Sequence, residues 1–174
     1  MAQELSFRIT ASGAVGFDCW EGSGFPNCDP PIFKIFGTAS ASGTFVGKNA
    51  TFETVEKATP QPPTYTENEV DGHAVVTRKN GDKLNIHYQG LSPAPAPDET
   101  GVGHLNDDLG FVIEGGTGRF ENATGSGRLT ATGNVYYDAR PTVVDSQLTG
   151  TINLKARDSQ DDDDDDLDDD WGDG

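Results

Sequence analysis

The stretch that decides the fold is HAVVTRKNGDKLNIHYQ, residues 73–89. Asn80-Gly81 lies between two β-like runs, and both residue types accept positive φ, so the pair is expected to close a tight hairpin. In the second arm Leu84, Ile86 and Tyr88 alternate with Lys83, Asn85, His87 and Gln89, which puts the apolar set on one face of a strand. The face carrying Leu84 is expected to look into a core, with His87 on the polar side.

The same stride of two extends outward in both directions. Leu5, Phe7 and Ile9 share a face in LSFRIT, with Ser6 and Arg8 opposite. Residues 32–36, IFKIF, read as a strand buried on both sides for most of its length, continued through residue 45 as a glycine-bent ribbon, with residues 50–55 as its partner. Residues 111–114, 125–135 and 148–156 complete a set of about eight strands. The 22 glycines and 10 prolines punctuate the chain at short intervals, which argues against long helices. The expected fold is all-β, an eight-stranded antiparallel barrel, because closure removes exposed edges; a two-sheet β-sandwich is the alternative.

Two segments interrupt the rhythm: residues 58–68, with three prolines, and residues 91–108, which contain SPAPAPDETGVGHLNDD. Both are expected to be loops, the second a stiff spacer or rim flap, since Ala-Pro alternation favours extended polyproline-II backbone.

At 174 residues the chain suits one domain with a usable core. The formal charge is −17, but eleven aspartates fall in residues 158–174, which leaves −6 for the body. The division expected is a β-barrel domain over residues 1–157 and a disordered acidic tail over 158–174, since polyaspartate cannot bury enough apolar surface to offset its ordering cost. An acidic surface repels phosphate backbones, so nucleic acid is not an expected partner. No apolar run approaches the roughly 18 residues of a membrane-spanning helix. The chain enters a strand-like pattern directly at MAQELSFRIT, so an export leader is expected to have been removed, with Met1 standing in its place.

Cys19 and Cys28 lie nine apart in a Gly- and Pro-containing stretch that can fold back on itself. A disulfide between them would stabilise the fold by about 2–3 kcal/mol and would persist only in an oxidising compartment, so a secreted, extracellular protein is expected. Two unpaired thiols are the alternative. Asn49-Ala-Thr51 and Asn122-Ala-Thr124 have the form of glycosylation acceptors, a pattern that also arises by chance in a Gly/Thr-rich chain.

Three groups of residues invite chemistry. In the tail, Asp161, Asp162, Asp163, Asp164, Asp165, Asp166, Asp168, Asp169 and Asp170 offer oxygens suited to a hard cation, and calcium is the ion expected if a metal is bound. The tail equally reads as a solvated solubility segment, or as a docking peptide anchored by Leu167 and Trp171 on a cationic partner. The histidines His73, His87 and His104 read as surface or rim residues, and only His104 with Asp107 and Asp108 has the local make-up of a loop metal site. For catalysis the available types are Glu114, Tyr88 and Arg140, with Tyr136 and Tyr137. Glu114 alternates with Phe111 and Ile113, and is expected to face solvent if those fill the core.

FVIEGGTGRFENATGSGRLTATG, residues 111–133, resembles the allene oxide cyclase and dirigent barrel superfamily, whose members carry a strand, a Gly-Gly-Thr-Gly-x-Phe turn and a small-residue segment leading into another strand. Here those positions are Gly115, Gly116, Thr117, Gly118, Arg119 and Phe120. The resemblance implies an eight-stranded antiparallel barrel that assembles into a homo-oligomer, with Phe120 plugging one end. The family's lumen residues have no position-by-position match in this chain, so the resemblance carries fold and not catalysis. The function expected is therefore a secreted, non-enzymatic barrel, a matrix or surface component or small-ligand binder whose acidic tail contacts calcium or a cationic surface. The alternative is an enzyme like allene oxide cyclase or the dirigent proteins, guiding cyclisation or coupling of a reactive intermediate in the lumen. A lumen packed solid with Leu, Ile and Phe would exclude the enzyme; an open pocket with a buried acid would favour it.

Overall fold

The computed structural model describes residues 3–19, 32–136 and 140–154. Eight strands follow in order: β1 (Gln3–Cys19), β2 (Phe33–Gly43), β3 (Gly47–Pro60), β4 (Glu67–Thr77), β5 (Lys83–Pro93), β6 (Val102–Gly116), β7 (Thr124–Tyr136) and β8 (Thr142–Leu154). Each pairs antiparallel with its neighbour in sequence, and β8 returns to β1 from Gln3↔Leu154 to Val15↔Thr142, so the sheet closes into a barrel. Closure decides for the barrel over the two-sheet sandwich. The only helical turn among the described residues is a single 3₁₀ turn, Gly118–Phe120.

Period-two patterning does the folding. Val70, Ala74 and Val76 on β4, Leu84, Ile86 and Tyr88 on β5, and Leu109, Phe111 and Ile113 on β6 all point inward and are buried, while their alternates face out. Each fully buried Leu or Ile contributes about 1.5–3 kcal/mol.

One end of the barrel is closed by packing. The β4–β5 connection forms at Asn80-Gly81 as expected, with Thr77 paired to Lys83, but only Gly81 takes positive φ, +94°. The Gly81 amide donates to the Arg78 carbonyl at 2.9 Å, so the link is a tight turn ending on a left-handed glycine rather than a two-residue mirror-image turn. The 3₁₀ turn docks beside it: the Thr117 amide donates to the Lys83 carbonyl at 2.8 Å, and the Lys83 amide to Thr117 Oγ1 at 3.0 Å. Phe120 is wholly buried and joins the core there.

Three local expectations are corrected. The segment IFKIF is not buried on both sides. Phe33 and Ile35 are half-buried, while Phe36 is 43% exposed on the outer wall with Lys34 Nζ 5.8 Å above its ring. The loop expected over 58–68 shrinks to 61–66, because β3 runs on to Pro60 and β4 begins at Glu67. The long loop expected over 91–108 is mostly strand, with β5 reaching Pro93 and β6 starting at Val102. What remains is a strap over residues 94–101, organised by Asp98, whose Oδ1 accepts from the Thr100 amide at 2.7 Å, from Thr100 Oγ1 at 2.6 Å and from the Val102 amide at 3.2 Å. These bonds, the Thr100 hydroxyl first, hold the Asp98 carboxyl down at about 2.

Candidate functional site

At the other end of the barrel the described residues leave a recess, and its chemistry begins with one missing side chain. Glu56 on β3, Gly72 on β4 and Tyr88 on β5 are direct cross-strand partners in one row, all facing inward. A Cβ on Gly72 would lie 2.4 Å from Tyr88 Cζ and 2.6 Å from its hydroxyl, so the tyrosine ring lies flat over the bare β4 backbone. Across that gap the Tyr88 hydroxyl donates to Glu56 Oε2 at 2.8 Å, and it shares a 2.5 Å hydrogen bond with Thr54 Oγ1, the preceding inward position on β3. Thr54 Oγ1 in turn lies 3.3 Å from the His73 carbonyl. The chain has two polarities. With Glu56 ionised, Thr54 donates to Tyr88 and Tyr88 to the carboxylate; with Glu56 neutral, the same three groups can donate in reverse, ending on the His73 carbonyl.

A second buried acid shares the lumen. Asp107 on β6 is 6% exposed and accepts a short hydrogen bond from the hydroxyl of Ser92 on β5, itself 3% exposed. Burial dominates the electrostatics of all three titratable groups. It pushes Glu56 up to about 7 against the Tyr88 hydrogen bond, with the Asp107 charge adding to the rise. It raises Asp107 against the Ser92 hydrogen bond, and it raises the Tyr88 hydroxyl well above the usual phenol range.

Above these groups opens a cavity of about 620 Å³. Its walls are apolar, from Phe17, Phe33, Ile35, Val70, Leu105 and Val135; Glu56, Ser92 and Asp107 supply polar atoms, and Tyr65 and the strap residues 94–96 stand at the lining's outer part. A smaller void of about 60 Å³ continues inward beside Thr54, Glu56 and Tyr88. The arrangement is an apolar recess with two carboxyl groups whose ionisation desolvation opposes, and Glu56, pushed up to about 7, can donate as well as accept.

The residues singled out in the sequence divide sharply. Tyr88 faces the lumen and meets Glu56. Glu114 faces out, 45% exposed at its side chain, as its alternation with Phe111 and Ile113 requires. Arg140 is exposed and lies 4.1 Å over the Tyr136 ring. The three weak catalytic candidates Glu114, Tyr88 and Arg140 therefore do not form one site. The suggested metal set of His104, Asp107 and Asp108 is also separated, because the segment is strand and not loop. Asp107 points into the lumen, Asp108 points out to Arg128, with its Oδ1 2.9 Å from Nε, and His104 Nε2 lies 3.5 Å from Asp98. Cys19 is buried at the end of β1, while Cys28 and the whole aspartate tail lie outside the described residues.

Glu56, Ser92 and Thr54 were not among the expected site residues, and Asp107 was expected only as a loop metal ligand, although parity carries the information. Phe52, Thr54, Glu56 and Ala58 fall on one face, as do Gly103, Leu105, Asp107, Leu109 and Phe111. Comparison with protein families, with curated proteins and with solved structures finds no match to this chain.

Proposed function

We propose that the open end of the barrel binds a small, mostly apolar molecule carrying an oxygen acceptor, and that Glu56 exchanges a proton with it. The observation that carries this reading is a buried carboxyl group, hydrogen-bonded to Tyr88 and pushed up to about 7 by desolvation, in the lining of an apolar cavity of about 620 Å³. A cavity in the range of about 300–1,000 Å³ suits one small-molecule ligand held by apolar walls and oriented by a few polar groups. A pKa close to neutral maximises the usefulness of one group as both acid and base. Neutral Glu56 donates to a carbonyl, ether or epoxide oxygen; ionised Glu56 takes a proton from the adjacent carbon; Tyr88 fixes the carboxyl, and Asp107 stands by as a second buried carboxyl group held by Ser92. The reaction class is isomerisation or cyclisation by proton transfer, without net oxidation.

The test uses a long-chain ketone in deuterated buffer. Binding should quench or shift a fluorescent analogue, and NMR should show solvent deuterium entering the carbon beside the carbonyl, with Glu56→Gln retaining binding and losing exchange. Binding without exchange in the unaltered protein leaves the non-enzymatic reading, a carrier whose acids only orient the ligand. Absence of binding by any apolar ketone, acid or epoxide overturns both.

The remaining expectations stand as proposals. A Cys19–Cys28 disulfide and secretion belong together, and the aspartates 161–166 and 168–170 are offered as a weak calcium or cationic-surface contact. Homo-oligomer formation is supported by the cross-strand pair Phe36 and Val55, 43% and 46% exposed on the outer wall.

A further inference from the structure

On the outside of the same strands, directly behind Gly72 and Tyr88, two histidines stand side by side. His73 and His87 are direct cross-strand partners, with rings stacked at 4.6 Å between centroids and 13° from parallel. β6 carries one extra residue relative to β5 between Ile113 and Gly116, accommodated at Gly115 with φ +88°, and Glu114 just before it overhangs the pair. One Glu114 oxygen lies 3.6 Å from His73 Nδ1 and the other 3.8 Å from His87 Nδ1. On the far side of His87, its Nε2 lies 2.7 Å from Asp71 Oδ1, and ligand atoms of Asp71, His73 and His87 all fall within 4.8 Å of one another.

From this cluster we infer a site for a divalent transition-metal ion of the zinc class, with His73 Nδ1, His87 Nδ1 and the Glu114 carboxylate as ligands and Asp71 as the group that orients His87. Tetrahedral zinc with bonds of about 2.0–2.1 Å holds its ligand atoms roughly 3.4 Å apart, and the two Glu114 oxygens stand 3.6 Å and 3.8 Å from one Nδ1 each, so the carboxylate faces both rings. Asp71 completes the arrangement: accepting from His87 Nε2–H fixes the tautomer that leaves Nδ1 with its lone pair, the carboxylate–histidine pairing found behind metal-bound imidazoles. Two imidazoles select against calcium and magnesium, which take oxygen ligands. The site is exposed, with His73 and Asp71 side chains 63% and 61% accessible, so the remaining coordination positions are open to water. The ion would staple β4, β5 and β6 across the outer wall.

The chain contains three histidines, and His104 serves as the internal control. Imidazole NMR signals of the full-length protein, tail included, are followed while zinc chloride or calcium chloride is added. Zinc at one equivalent should move the His73 and His87 signals and leave His104 in place, and calcium should move none of the three. Asp71→Asn should weaken zinc about 10–100-fold. In His87→Asn the zinc response of His73 should also disappear, because one ion needs both rings. The inference is overturned if zinc moves all three signals alike or none, if calcium reproduces the zinc shifts, or if His73 responds to zinc unchanged in His87→Asn. Zinc held by the aspartate tail alone would leave the His73 and His87 signals unmoved, so it counts against the site.

Discussion

Replacing Glu56 by Gln should flatten the pH dependence of stability, and the size follows from the structure. The Glu56 carboxyl rises from 4.5 to about 7 on folding, chiefly through burial. An acid whose folded pKa is raised binds its proton more tightly in the native state. Its contribution is therefore fully present below about 4.5, and it is lost as pH climbs through about 7. The shift is worth about 3 kcal/mol at 1.36 kcal/mol per unit. For a body of about 150 residues that corresponds to a fall of roughly 6–12 °C in melting temperature across the window. Gln keeps an oxygen to accept from Tyr88 but carries no charge, so Glu56→Gln should match the parent at the acid end and exceed it by about that amount above neutrality. Differential scanning calorimetry of the two proteins across the range gives the answer as a difference, in which the tail aspartates and the histidines cancel. Parallel curves would refute a raised Glu56 pKa and remove the foundation of the proposed chemistry.

Gly72→Ala places a Cβ against the Tyr88 ring, so it should cost about 1–3 kcal/mol by overpacking and push the Glu56 pKa higher by displacing the hydroxyl, readable from the carboxyl carbon shift in an NMR titration. A crystal structure of the variant with Tyr88 still on Glu56 would contradict that. Phe120→Ala, at a wholly buried position in the closed end, should cost about 3–5 kcal/mol in chemical denaturation while leaving ligand binding at the other end intact. Deleting residues 158–174 should change stability by less than about 0.5 kcal/mol and reduce calcium uptake in titration calorimetry; equal uptake by the shortened chain removes the tail as a cation contact. Thiol labelling of the native protein without reductant should modify neither Cys19 nor Cys28, and two reactive thiols would withdraw the argument for an oxidising compartment.

The fold was legible because its energy lies in a period-two pattern that survives residue by residue. Leu84, Ile86 and Tyr88 were assigned inward and Glu114 outward from alternation alone, and both placements hold. The site was less legible for a reason that lies in the same pattern. Asp107 and Glu56 occupy inward positions where the pattern asks for an apolar side chain, so each broke the signal that would have extended its strand. HLNDD looked like a loop because its one informative residue was the one out of character. Prolines misled in the same way at 58–68 and 91–108: Pro60 and Pro93 end strands where a missing amide donor does no harm, rather than marking long loops. The histidine pair was invisible in sequence because His73 and His87, 14 residues apart, become neighbours only through the register of the hairpin.

The lumen acids are not required by the barrel itself. A barrel needs only apolar inward layers, and the closed end has them in Leu84, Ile86, Leu148 and Phe120. Continuing that layer at residues 56 and 107 would remove two carboxyl groups that each lose stability as they ionise, and would fill the mouth. The chain instead carries Glu56 and Asp107 there, gives each a hydroxyl partner in Tyr88 and Ser92, and clears β4 of a side chain at Gly72 so that the tyrosine can reach. The Tyr88 hydroxyl returns only part of the desolvation cost, since the Glu56 carboxyl still stands at about 7 with that hydrogen bond in place. A carboxyl group that weakens its own fold near neutral pH, set in an apolar recess, is the feature on which the proposed proton exchange rests.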